Sequence, residues 1–117
     1  VIVCGHYGCG GVHEACSDEP HGLVDHWLVH IRNMIDRNRE ELGAIADPEA
    51  RERRVCELNA VEQVRGLCHT PSVQQAWARG QALAVHGWMF SLADGLLRDL
   101  EVTVRGPNEI PEVFPSA

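Results

Sequence analysis

Apolar and polar positions along the chain fall into segments with different rhythms. Val1-Ile2-Val3-Cys4 is an unbroken apolar run stopped by Gly5, which predicts a strand buried on both faces, as in a parallel sheet. Gly8, Gly10 and Gly11 follow, and their missing side chains permit a sharp turn into a short helix from near Val12. That helix should end before the loop Ser17-Asp18-Glu19-Pro20-His21-Gly22. From Leu23 to about Leu42 the apolar residues Leu23, Trp27, Leu28, Ile31, Met34 and Ile35 recur at steps of three and four, predicting an amphipathic helix. Arg32, Asp36, Arg37, Arg39 and Glu40 make its solvated face.

Asp47-Pro48 is a helix start, with Asp as N-cap and Pro at the first helical position, where its missing N–H costs nothing. The helix predicted from it reaches about Leu67, with Val55, Leu58, Val61 and either Val64 or Cys68 turned inward. Thr70-Pro71 repeats the signal, and a shorter helix carrying Val73 and Trp77 closes at Gly80. Ala82-Leu83-Ala84-Val85-His86 is a second apolar strand. The long, mostly helical stretch before it suits a crossover, so the two strands should be parallel. Asp94-Gly95 then makes a hairpin-like turn into Leu96–Val104, which places Leu96, Leu100, Val102 and Val104 on one face and Asp99, Glu101 and Thr103 on the other. Arg98 interrupts the apolar face. This strand should be antiparallel to the second and solvated on one side. The fold class expected is α/β: a partial, mostly parallel sheet of two parallel strands and one antiparallel edge strand, flanked by helices, over residues 1–105. Residues 106–117, with Pro107, Pro111 and Pro115, should form an irregular tail. There are no internal repeats.

At 117 residues, 44% apolar and 23% charged, the chain has the composition of one globular domain. A net charge of −7 argues against nucleic acid or an anionic membrane as partner. All ten basic residues are Arg. No apolar run is long enough to span a membrane, and no export signal stands at the start. The five cysteines, 4, 9, 16, 56 and 68, form an odd set with no C-x-x-C pair, which suits reduced thiols and a cytoplasmic location better than a disulfide framework. Cys4, Cys56 and Cys68 lie on apolar faces and should be packing residues.

The first turn carries the candidate chemistry. His6 would leave the carboxyl end of a strand while Cys9 approaches a helix N-terminus, where unpaired N–H groups favour a thiolate. A His and a Cys so placed match two of the four ligands of a tetrahedral zinc site, and open α/β sheets bind ligands at that end of their strands. The bland reading is a tight turn whose His caps a carbonyl and whose Cys is a small buried apolar residue. His13 and Cys16 extend the series, so that His6, Cys9, His13 and Cys16 could make a four-ligand zinc module. The competing reading has His13 facing solvent and Cys16 in the core. His26 and His30 are four apart on a helix without a third ligand nearby.

Cys4-Gly5-His6-Tyr7-Gly8-Cys9-Gly10-Gly11-Val12 closely resembles the second zinc-ligand motif of the β-class carbonic anhydrases. Later segments resemble the bacterial members in the same order: Trp27-Leu28-Val29-His30-Ile31-Arg32, Cys56-Glu57-Leu58-Asn59 with Glu62-Gln63-Val64, Ala76-Trp77 with Gly80, and His86-Gly87-Trp88 with Asp94-Gly95-Leu96-Leu97. The similarity covers about residues 1–104. It implies a zinc held by two Cys, one His and an Asp or a water, with His6 and Cys9 matching the His and the second Cys. It also implies reversible hydration of carbon dioxide to bicarbonate, carried out by a dimer or tetramer. The family's first motif, Cys-x-Asp-x-Arg, supplies the other Cys and the Asp–Arg pair that tunes the water. No such segment occurs in these 117 residues, so the chain resembles the downstream part of such an enzyme, an incomplete fold expected to be weakly active or inactive alone. In the resemblance His86 is structural. Phe90 stands where some bacterial relatives have a Tyr linked to a non-catalytic bicarbonate pocket, and it lacks the hydroxyl. Two other readings stand beside this one: a non-catalytic zinc-binding or interaction module using His6, Cys9, His13 and Cys16, and a fragment that folds only when paired with a missing half.

Overall fold

The computed structural model describes residues 1–112. In chain order it contains β1 (Ile2–His6), α1 (Gly10–Ala15), a 3₁₀ turn (Gly22–Val24), α2 (Asp25–Arg37), α3 (Arg39–Gly43), α4 (Pro48–Cys68), α5 (Pro71–Ala78), β2 (Val85–Phe90), β3 (Leu97–Val104) and a second 3₁₀ turn (Pro107–Glu109). The sheet order is β1-β2-β3. β1 runs parallel to β2 from Ile2 opposite His86 to His6 opposite Phe90, and β3 is antiparallel to β2. This is the α/β sheet expected, with one parallel pair and one antiparallel strand.

α4 is the helix that crosses all three strands. Its N-terminus follows the Asp-Pro signal: Asp47 accepts a hydrogen bond from the Ala50 amide at 3.1 Å, with Pro48 at the first turn. The buried residues Cys56, Ala60, Val64 and Cys68 form a stripe at steps of four, and both Val64 and Cys68 point inward. Leu58 and Val61, expected inside, are only half-buried. The stripe consists of small and medium side chains because the backbone beneath it is close. A Cβ on Gly5 would stand 2.9 Å from the Met89 sulfur and 3.3 Å from the Ala60 Cβ. Two clusters fill the space: one around Tyr7, Val12, Met34, Val55 and Met89, the other around Val64, Cys68, Val85 and Val104.

Several expectations are corrected. β1 is covered on one face only: Val3 and Gly5 are half-buried, whereas Ile2, Cys4 and His6 are exposed. The cause is that α4 lies on one side of the sheet. Cys4 is thus an exposed thiol, while Cys56 and Cys68 are buried packing residues. The helix expected over Leu23–Leu42 is broken at Asn38, whose side-chain amide donates to the Met34 carbonyl at 2.8 Å and so competes with the helical ladder. Leu23 and Trp27 are 84% and 82% exposed, leaving Leu28 and Met34 as the buried positions of α2. The second strand begins at Val85, not Ala82. The Leu83 carbonyl accepts the Trp77 indole N–H at 2.9 Å, so that backbone is tied to α5 and not to a ladder. The even alternation expected in β3 is interrupted by a bulge. Gly87 pairs with Val102 but Trp88 pairs with Asp99, which leaves Leu100 and Glu101 as extra residues, with Glu101 at φ 61°. The Asp99 carboxylate accepts the Glu101 amide at 2.8 Å and holds the bulge. Leu96 lies just before β3 and is exposed. Beyond Val104, Ile110 packs on the second cluster. Pro115 of the expected irregular tail lies outside the described residues.

Candidate metal centre

His6 is the last residue of β1, and Cys9 is the N-cap of α1. Tyr7 and Gly8 turn the chain between them, with Gly8 at φ 70°, a conformation that suits a residue without Cβ. The turn is tied to β2 by the Tyr7 amide, which donates to the Phe90 carbonyl at 3.1 Å. Both residues thus stand at the carboxyl end of the parallel pair.

The His6 ring is already oriented. Its Nδ1 lies 3.0 Å from the Tyr7 carbonyl, which can only accept, so Nδ1 carries the proton and Nε2 keeps its lone pair. This is the tautomer in which a metal-ligating imidazole is usually found, with a backbone carbonyl fixing the ring. His6 is exposed and Cys9 half-buried. The Cys9 backbone is extended, and its thiol makes no capping bond to α1. The two residues therefore fit a zinc site as imidazole and thiol donors.

Beneath the turn lies Cys56. Burial pushes its thiol pKa up, and the amides of Cys9 and Gly8 beside it pull partly the other way. That thiol is a core group.

His13 and Cys16 do not join the site. His13 is exposed and its Nδ1 is 2.6 Å from Glu52 of α4, whose hydrogen bond raises the His13 pKa above 6.5. Cys16 is exposed and not in the core, because α1 ends at Ala15 and sends only Val12 and Ala15 inward. It lines, with His13, Glu52, Arg51 and Leu42, a cavity of about 550 Å³, whose walls push its thiol pKa up. Among the described residues no group of three or more His, Cys, Asp or Glu side chains is arranged to hold a metal ion, so the four do not form a four-ligand set. His26 and His30 are exposed on α2. His86 shares a 3.0 Å hydrogen bond with the Thr103 hydroxyl across the β2–β3 pair. Phe90 is half-buried at the end of β2, opposite His6.

The sequence reading missed a group centred on Tyr7. The ring is 6% exposed. Its hydroxyl donates to Glu57 and accepts from the Arg98 guanidinium at 3.2 Å, and the Arg53 guanidinium lies 3.9 Å above the ring centroid. Burial raises the Tyr7 pKa, and the hydrogen bond to Glu57 adds to it. The only signal in the sequence was Arg98 intruding on an apolar face.

Donor side chains at the carboxyl ends of a parallel pair, one of them on a glycine turn, place the chain among α/β proteins that bind their ligand at the tips of the strands. The comparisons narrow this. A family model described as carbonic anhydrase matches residues 1–97. The carbonic anhydrase of Emericella nidulans is 42% identical over 106 residues, covering 91% of this chain and 46% of that protein. The solved β-carbonic anhydrase of Coccomyxa, in complex with acetazolamide, superimposes with a TM-score of 0.84 at 33% identity, over 92% of this chain and 49% of that one. A structure among the two tetrameric β-carbonic anhydrases of Sordaria macrospora gives a TM-score of 0.80 at 34% identity, over 88% of this chain and 52% of that one. The chain belongs to the β-carbonic anhydrase family. It spans about half the length of the relatives it matches.

Proposed function

We propose that the chain is part of a zinc-dependent carbonic anhydrase that interconverts carbon dioxide and bicarbonate, with His6 and Cys9 as two of the metal's ligands. The observation that carries this is the His6 ring, held by the Tyr7 carbonyl with Nε2 left as donor at the strand tip that Cys9 shares. Zinc supplies a Lewis acid that makes water acidic enough to give hydroxide near neutral pH. Within these residues, β1 and its pairing to β2 fix the imidazole, and the glycine turn brings the thiol to the same end of the sheet. The remaining thiolate and a carboxylate–guanidinium pair to position water have no counterpart here, since no Cys-x-Asp-x-Arg segment occurs among the 117 residues. This chain by itself is therefore weakly active or inactive. The intact protein is a cytoplasmic dimer or tetramer with reduced cysteines and no nucleic-acid or membrane partner. The tetrameric Sordaria relatives, the exposed Leu23, Trp27, Leu92 and Leu97, and five free thiols support that reading.

The test is zinc affinity, measured by competition with a chelating dye, alongside stopped-flow hydration. His6→Ala and Cys9→Ala should each weaken zinc by more than about tenfold, since even outer-shell changes cost that much. Replacing His13 and Cys16 together should change nothing. Zinc retained in the first two variants and lost in the third would establish the four-ligand module instead. Brisk zinc-dependent turnover by this chain alone would overturn the expectation of weak activity.

A further inference from the structure

Arg53 makes no hydrogen bond or ion pair among the described residues, although it lies in a strongly acidic chain. Its neighbour Arg54 holds both Glu41, at 2.8 Å, and Glu57, at 3.2 Å, and Arg51 binds the carbonyls of Leu42 and Ile45. Arg53 is instead placed over Tyr7, 3.9 Å from the ring centroid. Arg98, from β3, reaches the same residue from another side, 5.7 Å from the centroid and 3.2 Å from the hydroxyl. Tyr7 is buried and tied to Glu57. A single fixed ring therefore sets the separation of two guanidinium groups from different elements.

The two arginines share a cavity of about 170 Å³ with Tyr7, Ser91, Asp94 and the Leu96–Leu97 end of the turn. One carboxylate, Asp94, lines this cavity, and Glu49 and Glu52 line the adjoining one that shares Arg53. Asp94 accepts the Leu96 amide at 3.0 Å. Glu57 accepts from Tyr7 and Arg54, and its nearest approach to Arg98 is 3.9 Å. What faces the cavity without an acceptor is the fork of Arg53, seconded by Arg98 and the Ser91 side chain. A planar fork of N–H donors matches the oxygens of an oxyanion, and its stacking on an aromatic ring reduces the freedom it loses on binding. The cavity has room for a small anion of a few heavy atoms.

We infer that Arg53 and Arg98, braced on Tyr7, form a binding site for a small oxyanion of the size of bicarbonate or phosphate. The site does not use His6 or Cys9, so it does not depend on the metal assignment. Arg53 and Arg98 supply the charge, Ser91 a hydroxyl donor, and the exposed rim an open route for exchange with solvent.

Tyr7 is the only tyrosine of the chain, so ¹³C-tyrosine labelling yields one ring signal, at the site itself. Chelator-treated protein is titrated with sodium bicarbonate, sodium phosphate and sodium chloride at constant ionic strength. The expected result is a saturable shift of the Tyr7 signal with at least one oxyanion and none with chloride, the two oxyanion arms showing which anion the site prefers. Arg53→Gln and Arg98→Gln should each weaken binding about tenfold or more, as expected for loss of a charge-assisted hydrogen-bonding partner. Arg53→Lys, which keeps charge but loses the fork, should fall between. Arg79→Gln, remote in sequence and bonded to Gln81, should leave binding unchanged. Shifts that grow linearly, or equally with chloride, or that survive both Arg53→Gln and Arg98→Gln, would overturn the site while leaving the zinc proposal untouched.

Discussion

His13, on the exposed flank of α1, holds Glu52 of α4 at 2.6 Å. The hydrogen bond, with the carboxylate's charge, stabilises the imidazolium and raises the pKa above 6.5. A raised pKa means the folded state binds the proton more tightly than the unfolded one. The pair's contribution to stability is therefore full below pH 6.5 and is lost as pH rises through the folded midpoint. His13 is exposed to solvent, which screens the pair, so the contribution is small. NMR titration of His13 should give a midpoint above 6.5 that returns toward it in Glu52→Gln; an unchanged midpoint would show that the pair is not formed. That His13 faces solvent was one of the two readings its sequence position allowed, and it is exposed. Its partner was not legible, because Glu52 lies 39 residues away on another helix and only the packing of α1 against α4 brings them together.

Local signals are strongest at the level of the elements. Asp47 caps α4 as its position before Pro48 predicts, and Asp47→Ala should cost about 1 kcal/mol in chemical denaturation. Thr70 shows the limit of such signals. It precedes Pro71 in the same way, yet its hydroxyl donates to the Leu67 carbonyl at 2.7 Å and makes no N-terminal cap. The contact of α4 with the sheet is a second test at this scale. Gly5→Ala would force a Cβ to 2.9 Å from the sulfur of fully buried Met89 and 3.3 Å from the Ala60 Cβ. Overpacking of this kind costs about 1–3 kcal/mol, and a urea midpoint as high as that of the unaltered chain would show that the helix can lift without loss. Periodicity located α4, but it did not choose between overlapping apolar stripes. The glycines under the helix made that choice.

Across the whole molecule, β1 is an edge strand and β2 is flanked on both sides. Open edges carry unpaired amides and carbonyls and invite a further strand. In dilute solution the amides of β2 should outlast those of β1 and β3 in hydrogen exchange. β1 protection that rises to the β2 level as protein concentration increases would show that another chain adds to this edge. Exposed Ile2 and half-buried Trp88 and Phe90 lie on the face α4 leaves open, so the same experiment with Ile2→Thr separates pairing along the edge from stacking on the face. Pairing survives that change and stacking weakens.

From the order of residues alone came the parallel pair, the return strand, the capped start of α4 and the His-x-x-Cys turn, because each is encoded by neighbours in sequence: apolar spacing, Asp-Pro and Asp-Gly signals, and glycines at the turn. The tertiary structure decided what depends on residues far apart. It left one face of β1 bare, placed Leu23 and Trp27 in solvent, put the bulge into β3, and gathered Arg53, Glu57 and Arg98 around Tyr7. Those outcomes follow from which surfaces α4 covers and how closely it approaches the strands, a packing geometry that no local pattern specifies.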